Sequence, residues 1–160
     1  YAYPILKKHG FTAVQHIISS RTNRFEGEQV FNSEGTLQFF TEYEMAQLAD
    51  VFYYEAHTDD LHRLNSETGG GVALELSAPE ITADLKKNVA TLKNPTSLAY
   101  PFGHYNEEMV KAMKEVGLLI GFTTNEGYAN IEQSNYEVNR FGVTEKKTYE
   151  QFTSYVKGVF

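Results

Sequence analysis

Short runs rich in β-branched and aromatic residues alternate along this chain with longer segments of helical periodicity, and that alternation restricts the fold more than any other feature. FTAVQHII at 11–18, VFYYEA at 51–56, the run through SLAYP at 97–101 and LLIGFT at 118–123 each read as a strand. Between them lie helical signals. YAYPILKKHG has apolar residues at helical spacing and a closing Gly10, and Thr41 with Glu44 makes a capping box for a helix running to Asp50. Ser77 with Glu80 caps a longer helix, SAPEITADLKKNVATL, and a further helix is expected from about Asn106 to Val116. After a loop to about residue 138, RFGV at 140–143 reads as a fifth strand, and a last helix covers most of TYEQFTSYVKGV. Helices alternating with strands in this way build βα units around a parallel sheet. A closed barrel of eight such units takes about 250 residues. A chain of 160 residues that starts inside a helix is therefore expected to be an incomplete (β/α) barrel lacking its first unit or two, with a complete small open α/β sheet as the alternative. The chain begins at Tyr1 without a methionine and shows no signal peptide, so the start of the gene product is expected elsewhere.

Composition narrows the chemistry. With 41% hydrophobic and 14% aromatic residues the chain can bury one real core, so it reads as a single domain over residues 1–160. A net charge of −7 without a lysine or arginine cluster lacks the footprint of a nucleic-acid binder. No apolar run approaches the roughly 20 residues of a bilayer-spanning helix. Cysteine is absent, which removes disulfides and thiolate ligands and leaves histidine, carboxylate and water for any metal site.

HTDDLH, residues 57–62, concentrates the ionisable groups. His57 and His62 are five apart, a separation that places them on diverging faces of a continuous helix and opposite faces of a continuous strand. They converge on one ion only if the chain changes structure between them. The preceding strand, and the carboxylates of what reads as a first helical turn in DDLHRL, suggest such a change. The competing reading is two surface histidines beside Asp59 and Asp60, with Thr58 or Asp59 as a helix cap. YPFGHYN, 100–106, follows the SLA strand as HTDDLH follows its own, and in α/β folds the loops at the carboxyl ends of strands gather the ligand site. NSETGGG at 65–71 lacks the lysine and hydroxyl of a phosphate loop and is expected to be a flexible surface loop.

These residues together resemble a family. HTDDLH is similar to the second motif of the polysaccharide deacetylases of carbohydrate esterase family four (the NodB homology domain), in the poly-N-acetylglucosamine deacetylase subgroup. AYPFGHYNEEM followed by GFTT and NRFGV resembles that subgroup's later motifs. The resemblance runs from YAYPILKKHGF to the final helix and implies the C-terminal portion of a distorted (β/α) barrel. It implies hydrolysis of the N-acetyl amide of an N-acetylglucosamine polymer, such as a biofilm polysaccharide, with a divalent metal, commonly zinc. It also implies a secreted or cell-surface bacterial protein, with any surface or membrane association made through segments outside this chain.

Residue by residue, the resemblance makes His57 and His62 the imidazole ligands and the backbone N–H of Phe102 the oxyanion donor. Tyr100, Pro101, Phe102 and Tyr105 become candidates for a wall against sugar faces, their other reading being core or turn packing. Arg140 is a candidate substrate contact or salt-bridge partner. His104 is expected at a groove or surface, Asp59 and Asp60 to cap the turn or orient imidazoles, and His9 and His16 to be structural. Two departures stand out. The family's Thr-Phe-Asp-Asp-Gly motif, which supplies the general base and a third ligand, occurs nowhere in these 160 residues, and neither does the subgroup's early general-acid histidine. Ala99 stands where many relatives outside the subgroup carry an arginine. Besides a deacetylase fragment, the sequence therefore admits a non-catalytic glycan-binding or scaffold domain derived from one, or a metal-free α/β domain.

Overall fold

The computed structural model describes residues 1–22, 27–30 and 37–158. The polar stretch after the 11–18 run reads as a loop to about residue 35, and part of it lies outside the described residues. Four strands, β1 (Ala13–Ile17), β2 (Phe52–Ala56), β3 (Ser97–Ala99) and β4 (Ile120–Phe122), form one parallel sheet in the order β1-β2-β3-β4. Helices α1 (Ala2–His9), α2 (Glu42–Gln47), α3 (Ala78–Leu92), α4 (Glu107–Val116) and α5 (Tyr149–Lys157) alternate with them. No described helix is long and apolar enough to cross a membrane.

Local chemistry accounts for the helix starts. Thr41 and Glu44 exchange side-chain and backbone hydrogen bonds at the head of α2, Ser77 and Glu80 do so before α3, and Thr148 and Gln151 before α5. One face of the sheet meets the helices. Ile17, Ala56 and Leu98 of the strands pack with Ile81, Leu85 and Leu92 of α3 and with Met109, Ala112 and Met113 of α4 in the core.

The pleat turns alternate residues to the other face, and the parallel register matches Val14 with Tyr53 and His16 with Glu55. In a closed barrel this inward face is filled by layers of side chains. Here Val14 is 51% and Tyr53 61% exposed. Among the described residues no strand pairs with the second edge of β1. The chain is an incomplete (β/α) barrel whose interior stands open on the β1 side.

Three sequence expectations change. RFGV forms no strand: the β4 edge is covered instead at Val138, which bridges Phe122, while Phe141 stacks on Tyr155 of α5 at 4.4 Å. Val143 is exposed, and a parallel strand needs burial on both faces. DDLHRL forms no helix, for reasons given below. NSETGGG is a folded turn rather than a flexible loop. Asn65 Oδ1 accepts the N–H groups of Glu67 and Thr68, the Asn65 amide donates to both carboxylate oxygens of Glu75 at 2.8 and 2.9 Å, and Leu64 bridges Gly71.

The difference between the two sheet faces predicts a difference in mutational cost. Leu85→Ala removes a fully buried side chain and is expected to cost about 2–5 kcal/mol in urea unfolding. Val14→Ala, on the open face, is expected to cost under about 1 kcal/mol. Equal costs would contradict the open interior.

Candidate metal centre

β2 and β3 pair through Ala56 and Leu98, so the residues that follow each strand emerge side by side. His57 leaves β2 with its amide bonded to Ile17 of β1 at 3.1 Å. Its imidazole crosses to β3, where Nδ1 donates to the Ala99 carbonyl at 2.6 Å. A carbonyl only accepts, so Nδ1 carries the proton and Nε2 keeps its lone pair, the arrangement a metal-binding histidine requires. The His62 ring lies beside it with centroids 4.9 Å apart. The structure therefore brings together the two histidines that regular secondary structure would separate.

The intervening residues do not make a helical turn. Thr58, fully buried, has φ +69°, a left-handed conformation that a β-branched residue rarely adopts. Its hydroxyl accepts the Leu61 N–H at 3.2 Å as an N-cap would, yet no helix follows, because Arg63 N–H bonds the Leu61 carbonyl. Asp59 accepts from Ser19 Oγ at 2.6 Å, and Asp60 forms an exposed ion pair with Arg63. Neither carboxylate orients an imidazole. Arg21 holds the far end of the loop through the His62 carbonyl at 2.9 Å.

The loop after β3 lies against the histidine pair. Phe102 has φ +58°, and its ring packs on His62 with centroids 4.2 Å apart. The turn is closed by Gly103 N–H to Tyr100 and by His104 N–H to Pro101, bonds that do not use the Phe102 N–H. His104 accepts the Gly71 N–H on Nδ1 at 3.0 Å, which places its proton on Nε2 and braces the folded glycine turn against this loop. The expected sugar-facing wall is corrected at two positions. Tyr100 is 1% exposed and hydrogen-bonds the Tyr136 carbonyl at 2.7 Å, so its ring is core, and Pro101 is buried too. Tyr105 stacks on Tyr100 at 4.5 Å and donates to Glu137. Phe102 remains, 37% exposed.

Arg140 donates through Nε to the Thr123 carbonyl at 2.7 Å, and its charge is close enough to disfavour protonation of both His57 and His16. Among the described residues it anchors to backbone and not to a carboxylate. His9 is exposed on α1. His16, expected to be structural, faces the same interior, 6.4 Å from the His57 ring and 5.8 Å from Phe122, with Nδ1 2.9 Å from the Ala56 carbonyl. Two residues carry site roles that the sequence did not point to. Asp84 and Asn88 of α3 hydrogen-bond the backbone at 58–60. Asn88 had a signal, a polar residue at an apolar-stripe position in the series Ile81, Leu85, Asn88, Leu92.

A family profile described as Polysaccharide deacetylase matches residues 1–121. The chain belongs to the polysaccharide deacetylase family. A poly-beta-1,6-N-acetyl-D-glucosamine N-deacetylase of Staphylococcus epidermidis is 31% identical over 148 residues, covering 89% of this chain and 49% of the relative. The putative polysaccharide deacetylase YxkH of Bacillus subtilis is 30% identical over 161 residues, covering 99% and 51%. The fold matches IcaB from Ammonifex degensii with a TM-score of 0.77 at 21% identity, over 98% of this chain and 66% of that one. It matches the Streptococcus pyogenes deacetylase PplD, solved in complex with acetate, with a TM-score of 0.74 at 25% identity, over 96% and 62%. The chain spans about half the length of the curated relatives it matches.

In this polysaccharide deacetylase domain the histidine pair fits a metal by donor chemistry but does not make a full site, since no group of three or more potential ligands lies together among the described residues. Burial lowers the pKa of His57 to about 4, against the opposing effect of its bond to Ala99, and burial also lowers those of His62 and His16. The imidazoles are thus neutral at pH 7, ready to bind a cation without first losing a proton. Because the folded pKa of His57 lies below the unfolded value of 6.5, the unfolded chain binds more protons between about pH 4 and 6.5. Stability is full above that window and is lost as pH falls through it, by at most roughly 3 kcal/mol from His57. Urea unfolding of the metal-free chain is expected to show a lower midpoint at pH 5 than at pH 7, and His57→Gln is expected to flatten the dependence. An unchanged slope in that variant would remove His57 as its source.

Proposed function

We propose that this chain is the C-terminal portion of a metal-dependent N-deacetylase acting on an N-acetylglucosamine polymer outside the bacterial cell. The observation that carries the reading is the adjacency of the His57 and His62 rings, centroids 4.9 Å apart, beside the end of β2, with His57 fixed by Ala99 so that Nε2 stays available. These two hold a divalent cation, with zinc expected from their nitrogen donors and the absence of thiolates. Such a cation polarises an amide carbonyl and lowers the pKa of water beside it.

The chain's own residues do the rest. The Phe102 N–H, outside the hydrogen bonds of its turn, donates to the developing oxyanion, and the exposed Phe102 ring gives a sugar face a surface on which to pack. Tyr105 and Arg140 flank this loop and contribute polar contacts to the polymer. The base and a third ligand belong to the Asp-Asp motif of the family pattern and the acid to the subgroup's early histidine, neither of which these 160 residues contain. The naming of the Staphylococcus epidermidis relative supports poly-β-1,6-N-acetylglucosamine as the polymer, and acetate, bound in PplD, is the product that deacetylation releases.

A second reading, a glycan-binding domain without catalysis, draws on the lack of a third ligand among the described residues. Acetate release from N-acetylglucosamine oligomers separates the two. General acid and base assistance are each worth ~10² to 10⁴ in rate, so the 160-residue chain with zinc is expected to show no useful turnover. The same chain preceded by a segment that bears both the Asp-Asp motif and the general-acid histidine is expected to be active. In that form His57→Ala or His62→Ala should abolish turnover, whereas Asp59→Asn, whose side chain meets Ser19, should retain most of it. Robust turnover by the 160 residues alone would overturn the assignment of base and acid to another segment. Binding of the oligomers by an extended chain that never releases acetate would favour the second reading.

A further inference from the structure

His57 and His62 converge only because the chain reverses at Thr58, and nothing in the loop's own sequence favours a left-handed threonine. Such a conformation persists when its surroundings over-determine it. Two side chains one helical turn apart on α3 do so. The Asp84 carboxylate takes the loop's amides with both oxygens, Oδ1 from Asp59 N–H and Oδ2 from Asp60 N–H, each at 2.8 Å. Asn88, fully buried, shares the two hydrogens of Nδ2 among three acceptors, the Thr58 carbonyl at 2.8 Å, the Ile17 carbonyl at 3.0 Å and Ser19 Oγ at 2.9 Å.

The Asn88 orientation is forced. Both carbonyls only accept, and Ser19 Oγ already donates to Asp59, so the amide nitrogen must face all three and Oδ1 is left buried without a partner. A buried amide that leaves its oxygen unbonded in order to serve β1, the turn after it and the histidine loop is placed for that junction and not for packing alone.

We propose that α3 is the positioning element of the histidine pair, with Asp84 and Asn88 as positioning residues that hold the backbone at 58–60 so that the two imidazoles face one point. This rests on the reading of His57 and His62 as metal ligands. Asp84 touches neither imidazole; it acts through two amides of the four-residue segment that joins them. It satisfies two amides that would otherwise need water or another capping group, since no helical carbonyl follows to take them.

The test compares the parent chain with Asp84→Ala, Asp84→Asn, Asn88→Ala and, as a control on the same helix, Lys86→Ala, whose exposed ion pair with Glu115 is remote from the loop. Amide hydrogen exchange at Asp59 and Asp60, together with imidazole nitrogen resonances, reads the loop without metal. Cobalt(II) titration followed by its visible spectrum reads the site. Asp84→Ala is expected to speed exchange at those two amides, shift the imidazole resonances, weaken cobalt binding roughly 10- to 100-fold and alter the spectrum. Asp84→Asn, which keeps one acceptor oxygen, should fall between alanine and parent, and it keeps the test decisive if the alanine variant does not fold. Lys86→Ala should match the parent. Faster exchange in the Asp84 variants with unchanged imidazole resonances, cobalt affinity and spectrum would reduce Asp84 to a structural role and overturn the proposal. So would unchanged amide protection. Failure of the parent to bind cobalt, or equal binding by His57→Ala, would instead count against the metal reading, and the resonances would still decide the positioning role.

Discussion

The hydrogen bond from His57 Nδ1 to the Ala99 carbonyl, 2.6 Å long, joins the ends of two parallel strands and sets the chemical state of the site in one contact. It selects the tautomer with a free Nε2. It also requires that β2 and β3 end at the same level, which their pairing through Ala56 and Leu98 provides. The core beneath enforces that level, because Ala56 and Leu98 are fully buried against α3 and α4 and a slip by one residue would turn every side chain of a strand to the wrong face. The geometry of the histidine pair is therefore inherited from the packing of apolar residues on the opposite face of the sheet.

Burial then works in two directions at once. It removes His57 from water far enough to keep it neutral, and it makes the site intolerant of unpaired polar groups, so each backbone group of the loop must find a partner. Regular structure cannot supply those partners when the chain reverses at Thr58, and side chains from neighbouring elements do so. Arg21, Asp84 and Asn88 bond to the backbone of the 57–62 loop, from the turn after β1 and from α3, while Ser19 holds the Asp59 carboxylate. Asp84 is buried enough that its pKa is raised, with the carboxylates of Asp59 and Asp60 adding to that effect and the two amides opposing it.

Much of the architecture was legible because it rests on local rules. Capping boxes at Thr41 and Ser77 and the β-branched and aromatic runs announced α2, α3 and the four strands, and the two strand-end loops announced the site. RFGV failed because a run of four residues carries no information about whether a sheet edge will bury it. Tyr100 failed for the converse reason: its neighbours Pro101 and Gly103 read as an exposed turn, but the tertiary fold stacks its ring on Tyr105 and turns its hydroxyl to Tyr136. His16 could not be joined to His57 without knowing the register between β1 and β2, which depends on contacts 40 residues apart. The glycine turn was misjudged because composition signals flexibility, whereas one asparagine and one glutamate ten residues away organise it.

A common feature explains what motif reading sees and what it misses. The decisive contacts of the site run from side chain to backbone: His57 to the Ala99 carbonyl, Asp84 to two amides, Asn88 to the Thr58 carbonyl, His104 to the Gly71 amide and Arg140 to the Thr123 carbonyl. Any residue can offer a carbonyl, and almost any an amide, so Ala99 and Gly71 carry no chemical signal in the sequence although the site depends on their positions. Ala99 shows the consequence. Its side chain is a methyl group without polar chemistry, yet the orientation of His57 is set by its carbonyl, which does not change with the side chain. The side chains that are visible as motifs are thus one half of each contact. The other half is set by where the strands stop, and that is why the histidine spacing alone left open whether the two rings would meet.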